Sequence, residues 1–186
     1  MKATIIISVY KNVEALNLIL ESLRLQTCQD FEYIIIDGGS TDGSVDIIKK
    51  YADRIDYWVS EPDKGIYDAM NKGIMRSTGE IIGIVNSDDW LEKDALDNIY
   101  KLYVAHGCSE LVICASMYFH YLDGTKQVLF SNEKDLHKYA MHYEMGGVRH
   151  PATFVSKNLY EKYGLFDTNI RILADTDFIL RLFLQV

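Results

Sequence analysis

The chain has 186 residues, with 19 basic against 27 acidic side chains and a formal charge of −8. Apolar residues make up 48% and charged residues 25%, which excludes disordered, collagenous and low-complexity classes. The length allows one large or two small domains with a core that needs no disulfide or structural metal, and the acidic balance argues against nucleic acid as the main partner.

Ala3 to Val9 is an apolar, β-branched run and predicts a strand covered on both faces. It lacks a cleavage site and is followed by Lys11 and Asn12, so it is not read as a signal peptide. Val13, Leu16, Leu20 and Leu23 recur at helical spacing, with Asn12 as N-cap. Phe31 to Ile36 predicts a second buried strand, and Gly38 to Gly43 a turn cluster. Val45, Ile48 and Tyr51 predict a helix, and Ile55 to Val59 a third strand. After a loop over Ser60 to Gly65, Ile66, Met70 and Ile74 mark a helix ending before Gly79. Glu80 to Val85 is a fourth strand. Leu91 to His106 reads as a helix with Leu96, Ile99, Leu102 and Tyr103 inward and Gly107 past its end.

The second half changes character. Leu111 to Leu122 predicts one long strand, and Asp123-Gly124 a hairpin turn into Lys126 to Ser131. Its most apolar part, Leu111 to Phe119, is too short to span a bilayer. Glu133 to Tyr143 suggests a short helix and Glu144 to His150 a glycine-containing loop. Thr153 to Ser156 is read as a strand, followed by a helix ended by Gly164, and Ala174 to Leu184 as the last helix. The β-α-β-α-β-α-β order implies an α/β fold: one Rossmann-like domain over residues 1–186, with a mainly parallel central sheet between helices and a smaller mixed or antiparallel portion. Residues 1–107 are expected to form one functional half and 108–186 the other. The chain stops on an apolar segment without a C-cap signal, which suggests either a chain cut short or a helix that packs without a tail.

Ligands of open α/β sheets bind beyond the carboxyl ends of the strands. Those ends here read Ser8-Val9-Tyr10, Asp37-Gly38-Gly39-Ser40-Thr41-Asp42-Gly43 and Asn86-Ser87-Asp88-Asp89. The last resembles a D-x-D metal motif with Asn first, and hard oxygen ligands suit Mg²⁺ or Mn²⁺. The competing account is a solvated turn with Asp89 as a helix N-cap. Asp37 either accepts from a base N–H or ribose hydroxyl, or bonds the backbone of its own glycine turn. Tyr10 either stacks on a base or packs on the first helix. No GxGxxG and no GxxxxGK[ST] occurs, which disfavours dinucleotide binding and leaves a P-loop unsupported. The three cysteines, Cys28, Cys108 and Cys114, are odd in number and lack CxxC spacing, so the expected compartment is reducing and cytoplasmic.

Taken in order, Ile5 to Tyr10, Glu32 to Gly43, Asn71-Lys72-Gly73-Ile74, Thr78-Gly79-Glu80, Asn86 to Asp89, Gly164-Leu165-Phe166-Asp167 and Asp175-Thr176-Asp177 resemble the inverting glycosyltransferases of family 2, with the GT-A fold. The resemblance runs from residue 4 to about residue 182. It implies a nucleoside diphosphate sugar donor, a UDP-sugar favoured, and a saccharide or lipid-linked acceptor. It implies Ser8, Tyr10, Asp37, Asn71 and Asn86 around the nucleotide, and Asp88 as ligand of an Mg²⁺ or Mn²⁺ ion. It implies Asp175 as the base for the acceptor hydroxyl, a role that makes sense because a sugar hydroxyl is a poor nucleophile. Asp175 also reads as the N-cap of the last helix, where the dipole favours a carboxylate. Asp177 is then expected on a structural partner.

The stretch Ser60 to Gly73 resembles a bacterial subgroup that builds exopolysaccharide or lipopolysaccharide sugars, compatible with a peripheral place at the inner membrane face. In Gly146 to Pro151, Arg149 and His150 are candidates to contact the diphosphate in a loop closing over substrate, with an ordinary glycine-rich surface loop as the alternative; Asp89 is a further acceptor-side candidate. The chain departs from the family pattern where Asp37-Gly38 replaces a doubled acid, and at Ser8, Met70, Asn86 and Ala174. Those departures motivate the rival account, a catalytically impaired nucleotide-sugar-binding or scaffold module.

Overall fold

The computed structural model describes residues 2–108, 110–121, 123–129 and 150–184. The run Ala3–Val9 is strand β1, and all seven of its residues are buried. Alternation along it serves two cores at once: Ile5, Ile7 and Val9 face one cluster, and Ile6 faces the other. Helix α1 (Val13–Arg24) follows, then β2 (Phe31–Asp37), α2 (Ser44–Lys50), β3 (Tyr57–Ser60), α3 (Ile66–Arg76), β4 (Ile81–Asn86) and α4 (Ala95–Ala105). Strand β5 (Val112–Cys114), the hairpin strands β6 (Met117–His120) and β7 (Lys126–Leu129), a 3-10 turn (His150–Ala152), β8 (Thr153–Ser156), α5 (Lys157–Tyr163) and α6 (Ala174–Leu184) complete the described elements.

The main sheet has the order β3-β2-β1-β4-β8-β5. The first four strands are mutually parallel, and β8 runs antiparallel to both neighbours. Helices α1, α2 and α4 cover one face through Leu16, Leu20, Ile48, Leu96 and Ile99. Helices α3, α5 and α6 cover the other through Met70, Ile74, Leu159, Tyr160 and Phe178. Each fully buried aliphatic side chain of this kind contributes about 1.5–3 kcal/mol. Helix α3 lies close on β1 because Gly73 faces it: a Cβ there would sit 2.4 Å from Ile6 Cγ2.

Two expectations change. The long strand over Leu111 to Leu122 is broken at Ala115-Ser116. Strand β5 pairs only as far as Cys114 with Thr153, because its partner then becomes the 3-10 turn. The Ala115 N–H closes onto the Ala152 carbonyl at 2.8 Å, and β6 leaves to pair with β7 in a separate ribbon. Helix α4 begins at Ala95, with Leu91 buried in the preceding loop. Leu102, expected inward, is 45% exposed, since it lies a step around the cylinder from the Leu96, Ile99 and Tyr103 stripe. The helix expected over Glu133 to Tyr143 and the loop before His150 lie outside the described residues. No described helix is long and apolar enough to cross a membrane.

Candidate functional site

Strand β1 sits between β2 and β4, so three carboxyl ends meet at one edge. The register pairs Val9 with Asp37, and Ser8 with Asn86. A cavity of about 640 Å³ opens over this edge, with Ser8, Tyr10, Gly38, Asp63, Asn86 and Asp88 among its walls. Ile66 and Ala69, from the start of α3, close another side. Tyr10 is 61% exposed rather than packed on α1, and the Lys11 ammonium stands 5.1 Å from its ring centre. That exposed ring suits base stacking. Lys11 itself has φ +48, and Leu173, just before α6, has φ +71. Both are non-glycine residues in the left-handed region, and both adjoin site residues.

Asp37 is fully buried, and its two oxygens do different work. Oδ2 accepts from the Gly39 and Ser40 N–H groups at 3.1 and 2.9 Å and from the Ser60 hydroxyl at 2.6 Å. Oδ1 has no hydrogen-bond partner among the described residues. The turn role and a ligand role are therefore compatible, one oxygen to each. Ser8 Oγ and Asn86 Oδ1 are also buried and lack a partner among the described residues. Three buried polar atoms without protein partners at one strand edge are costly unless water or a ligand satisfies them.

The Asn86 amide donates to Asp89 Oδ2 at 3.4 Å. Burial first, and then the neighbouring Asp88 charge, push the Asp89 carboxyl above the usual range. Asp89 is not an N-cap, because α4 starts six residues later at Ala95, with Asp94 in the N-cap position. Asp88 is exposed at the cavity. Among the described residues no three His, Cys, Asp or Glu side chains cluster into a ready cage. The Asp88 carboxylate at the cavity is a hard oxygen donor of the kind that suits Mg²⁺ or Mn²⁺, whereas Asp89 lines a different cavity beside Trp90 and Leu91.

The second candidate centre is Asp175, which lies inside the first turn of α6 rather than at its N-cap, since the helix begins at Ala174. The Tyr67 hydroxyl donates to its Oδ1 at 2.9 Å. Burial, and then the Asp175 charge, raise the Tyr67 phenol, which stays a donor. Tyr67 and His150 both lie against the Phe166 ring at 5.7 Å. Burial holds the His150 imidazole below its usual range, against the opposing pull of the Asp175 charge. His150 thus stands near the candidate base, while Arg149 lies outside the described residues. Asp177 accepts from Arg181 Nε at 3.0 Å, and Arg181 also holds the Tyr163 and Leu165 carbonyls, which is the structural place expected for it.

The Asn71 side chain ties two elements together. Its amide donates to the Phe166 carbonyl at 2.9 Å and its oxygen accepts from the Phe166 N–H at 3.0 Å. It is a buried clip between α3 and the segment carrying Phe166. Tyr67, Asp63 and Ser60 stand beside these candidates without having been singled out individually in the sequence. Their signal is their place in the Ser60 to Gly73 stretch: Ser60 ends β3, Asp63 lies in the loop after it and Tyr67 in the first turn of α3.

Residues 4–163 match the profile of Glycosyl transferase family 2. A Mycobacterium bovis protein named PGL/p-HBAD biosynthesis glycosyltransferase is 32% identical over 168 residues, covering 88% of this chain and 62% of that protein. This chain therefore spans less than two thirds of that relative. The structure of S. aureus TarS 1–349 in complex with UDP-GlcNAc is similar with a TM-score of 0.78 at 21% identity, over 97% of this chain and 53% of that one. The Pyrobaculum calidifontis mannosyltransferase PcManGT, in complex with GDP-Man and Mn²⁺, has a TM-score of 0.67 at 19% identity, over 95% of this chain and 51% of that one. These likenesses establish a GT-A fold, with its mainly parallel sheet and small antiparallel ribbon. With the profile matched over most of its length, the chain belongs to glycosyl transferase family 2.

Proposed function

We propose that the chain moves a sugar from a nucleoside diphosphate sugar to an acceptor hydroxyl, with inversion, in the building of a polysaccharide or glycolipid. The observation that carries this reading is the set of buried atoms Ser8 Oγ, Asp37 Oδ1 and Asn86 Oδ1 at one strand edge, each without a partner among the described residues, with Ser8 and Asn86 in the cavity wall. Asp37 Oδ1 is an acceptor suited to a base N–H, as in uracil or guanine. The UDP-GlcNAc complex of the TarS neighbour supports a UDP-sugar donor.

Asp88 would hold an Mg²⁺ or Mn²⁺ ion, which when bound neutralises charge on the departing diphosphate. Tyr10 stacks on the base. Asp175 takes the proton of the acceptor hydroxyl as its oxygen bonds to the anomeric carbon. The bond from that carbon to the diphosphate oxygen breaks, and its electron pair leaves with the diphosphate. A single displacement from the opposite side inverts the centre. Tyr67 holds Oδ1 of Asp175, so that Oδ2 is the oxygen offered to the acceptor. A cytoplasmic site of action, at the inner face of the membrane, belongs to the same reading and suits the free cysteines Cys28, Cys108 and Cys114.

The test is calorimetry with UDP, GDP and dTDP in Mn²⁺, followed by transfer assays with the matching sugars and NMR of the product anomer. Binding with turnover and an inverted product is expected. Binding without turnover of any donor favours an impaired binding module, and no binding to any nucleotide overturns the reading.

A further inference from the structure

The loop between β3 and α3 brings Asp63 to the nucleotide end of the sheet. Its Oδ1 accepts the Gly65 N–H at 2.9 Å, which fixes the side chain in a local turn. Its Oδ2 has a different neighbour. A Cβ built on Gly38 would stand 2.6 Å from Asp63 Oδ2 and 3.2 Å from Tyr10 Cδ2. Gly38 does not have a positive φ, so its backbone accepts a side chain and only space forbids one. The Asp63 carboxylate therefore fills the position into which residue 38 would project, beside the Tyr10 ring. Both Gly38 and Asp63 line the cavity, along with Ser8, which is 7% exposed and whose Oγ lacks a partner among the described residues. This is the position after β2 where the sequence offers a single acid, Asp37, followed by glycine.

We propose that Asp63 recognises the nucleoside: its Oδ2, reaching through the gap left by Gly38, accepts a hydrogen bond from an N–H or O–H group of the bound base or ribose. This rests on the reading of the cavity as the donor site. An ionised carboxylate is acceptor-only, so the group it meets must be a donor. Its hydrogen bond is charge-assisted and stronger than a neutral one. Glycine at 38 and aspartate at 63 form one device, in which a distant loop supplies the carboxylate that the strand end does not.

The experiment is calorimetry of the full chain with UDP and Mn²⁺. Asp63→Asn keeps an oxygen for the Gly65 N–H and removes the charge, and should weaken UDP about tenfold with the thermal midpoint unchanged. Asp63→Ala should weaken it at least as much. Gly38→Asp in the Asp63→Ala background moves the carboxylate to the other chain position and should restore most of the affinity. Three analogues, 2′-deoxy-UDP, 3′-deoxy-UDP and N3-methyl-UDP, distinguish ribose from base. The analogue against which wild type and Asp63→Asn bind alike identifies the donor, and a difference that survives all three overturns the direct contact. Wild-type binding that Asp63→Asn leaves within about twofold overturns this inference alone. Failure of the wild type to bind UDP, GDP or dTDP overturns the donor-site reading and this inference with it.

Discussion

Strand β2 carries a buried carboxylate at each end, and the two are treated in opposite ways. At the amino end, Glu32 is 6% exposed and accepts from the Thr4 hydroxyl at 2.6 Å and from the N–H and hydroxyl of Thr78 at 2.8 and 3.0 Å. At the carboxyl end, Asp37 is 0% exposed, and one oxygen has no partner among the described residues. The first site is closed by protein alone and ties β1, β2 and the approach to β4 together. The second is satisfied at one oxygen only, and the other is left without a partner among the described residues. Burial by itself does not mark a functional acid; burial with an unspent lone pair does.

The sharpest way to break this comparison lies just beyond the open end. Asp175→Asn should lower transfer by about 10²–10⁴-fold while UDP affinity stays near wild type, as read by turnover beside calorimetry. Equal loss of both would make Asp175 a folding residue. At the closed end, Glu32→Ala should cost about 1–3 kcal/mol in denaturant unfolding and leave UDP affinity alone, because it strands the Thr4 and Thr78 donors. Burial pushes the Glu32 carboxyl up, but the hydrogen bonds from Thr4 and Thr78 outweigh it and hold the carboxyl below its ordinary 4.5. A carboxyl depressed in the folded state stabilises fully above its unfolded value, and that contribution is lost as pH falls through the folded value. Acid unfolding of the wild type should therefore steepen below pH 4.5, and Glu32→Gln should flatten that limb.

Asp37→Asn should show the reverse pattern from Glu32→Ala. The amide oxygen can still serve the Gly39, Ser40 and Ser60 donors, while an NH₂ replaces the unspent oxygen, so UDP should weaken about tenfold with a smaller change in stability. The smallest effect is expected at Tyr67→Phe. Loss of one hydrogen bond to Asp175 should reduce turnover about fivefold and leave UDP affinity unchanged. Unchanged turnover would show that the Asp175 carboxylate is held by other groups.

Where the chain's own period decides the structure, the sequence is readable. Strand β1 was expected over Ala3 to Val9 and occupies those residues, because a β-branched run with both faces covered has few alternatives. The helical stripe Ile66, Met70 and Ile74 likewise reads directly as α3, although Ile66 is itself exposed. The site acids at strand ends are readable for the same reason, since a parallel sheet collects its carboxyl ends. Contacts far apart in sequence are not. Tyr67 and Asp175 are separated by 108 positions, and nothing local marks them as partners. The two hydrogen bonds of Asn71 to Phe166, 95 positions away, are likewise a scaffold contact that its motif does not announce. Leu111 to Leu122 failed as one strand because length was set by the partner. Strand β8 offers three pairing positions, and its pattern lies forty residues downstream of β5.

The antiparallel insertion of β8 has a consequence for how the chain folds. Strands β1 to β4 pair among themselves within residues 3–86, so the parallel block can assemble from contiguous chain. The outer edge of β4 finds its partner only when Ser156 reaches Ile81, across a loop of 156 − 81 = 75 positions. Closing so long a loop is slow, and an open strand edge is sticky while it lasts. Refolding should therefore pass through a species that has formed the parallel block but not the platform for Asp175. Conditions that lengthen its life, such as high protein concentration or a weakened Phe154 contact with Gly83, should divert the chain toward edge-to-edge aggregation before the second centre is built.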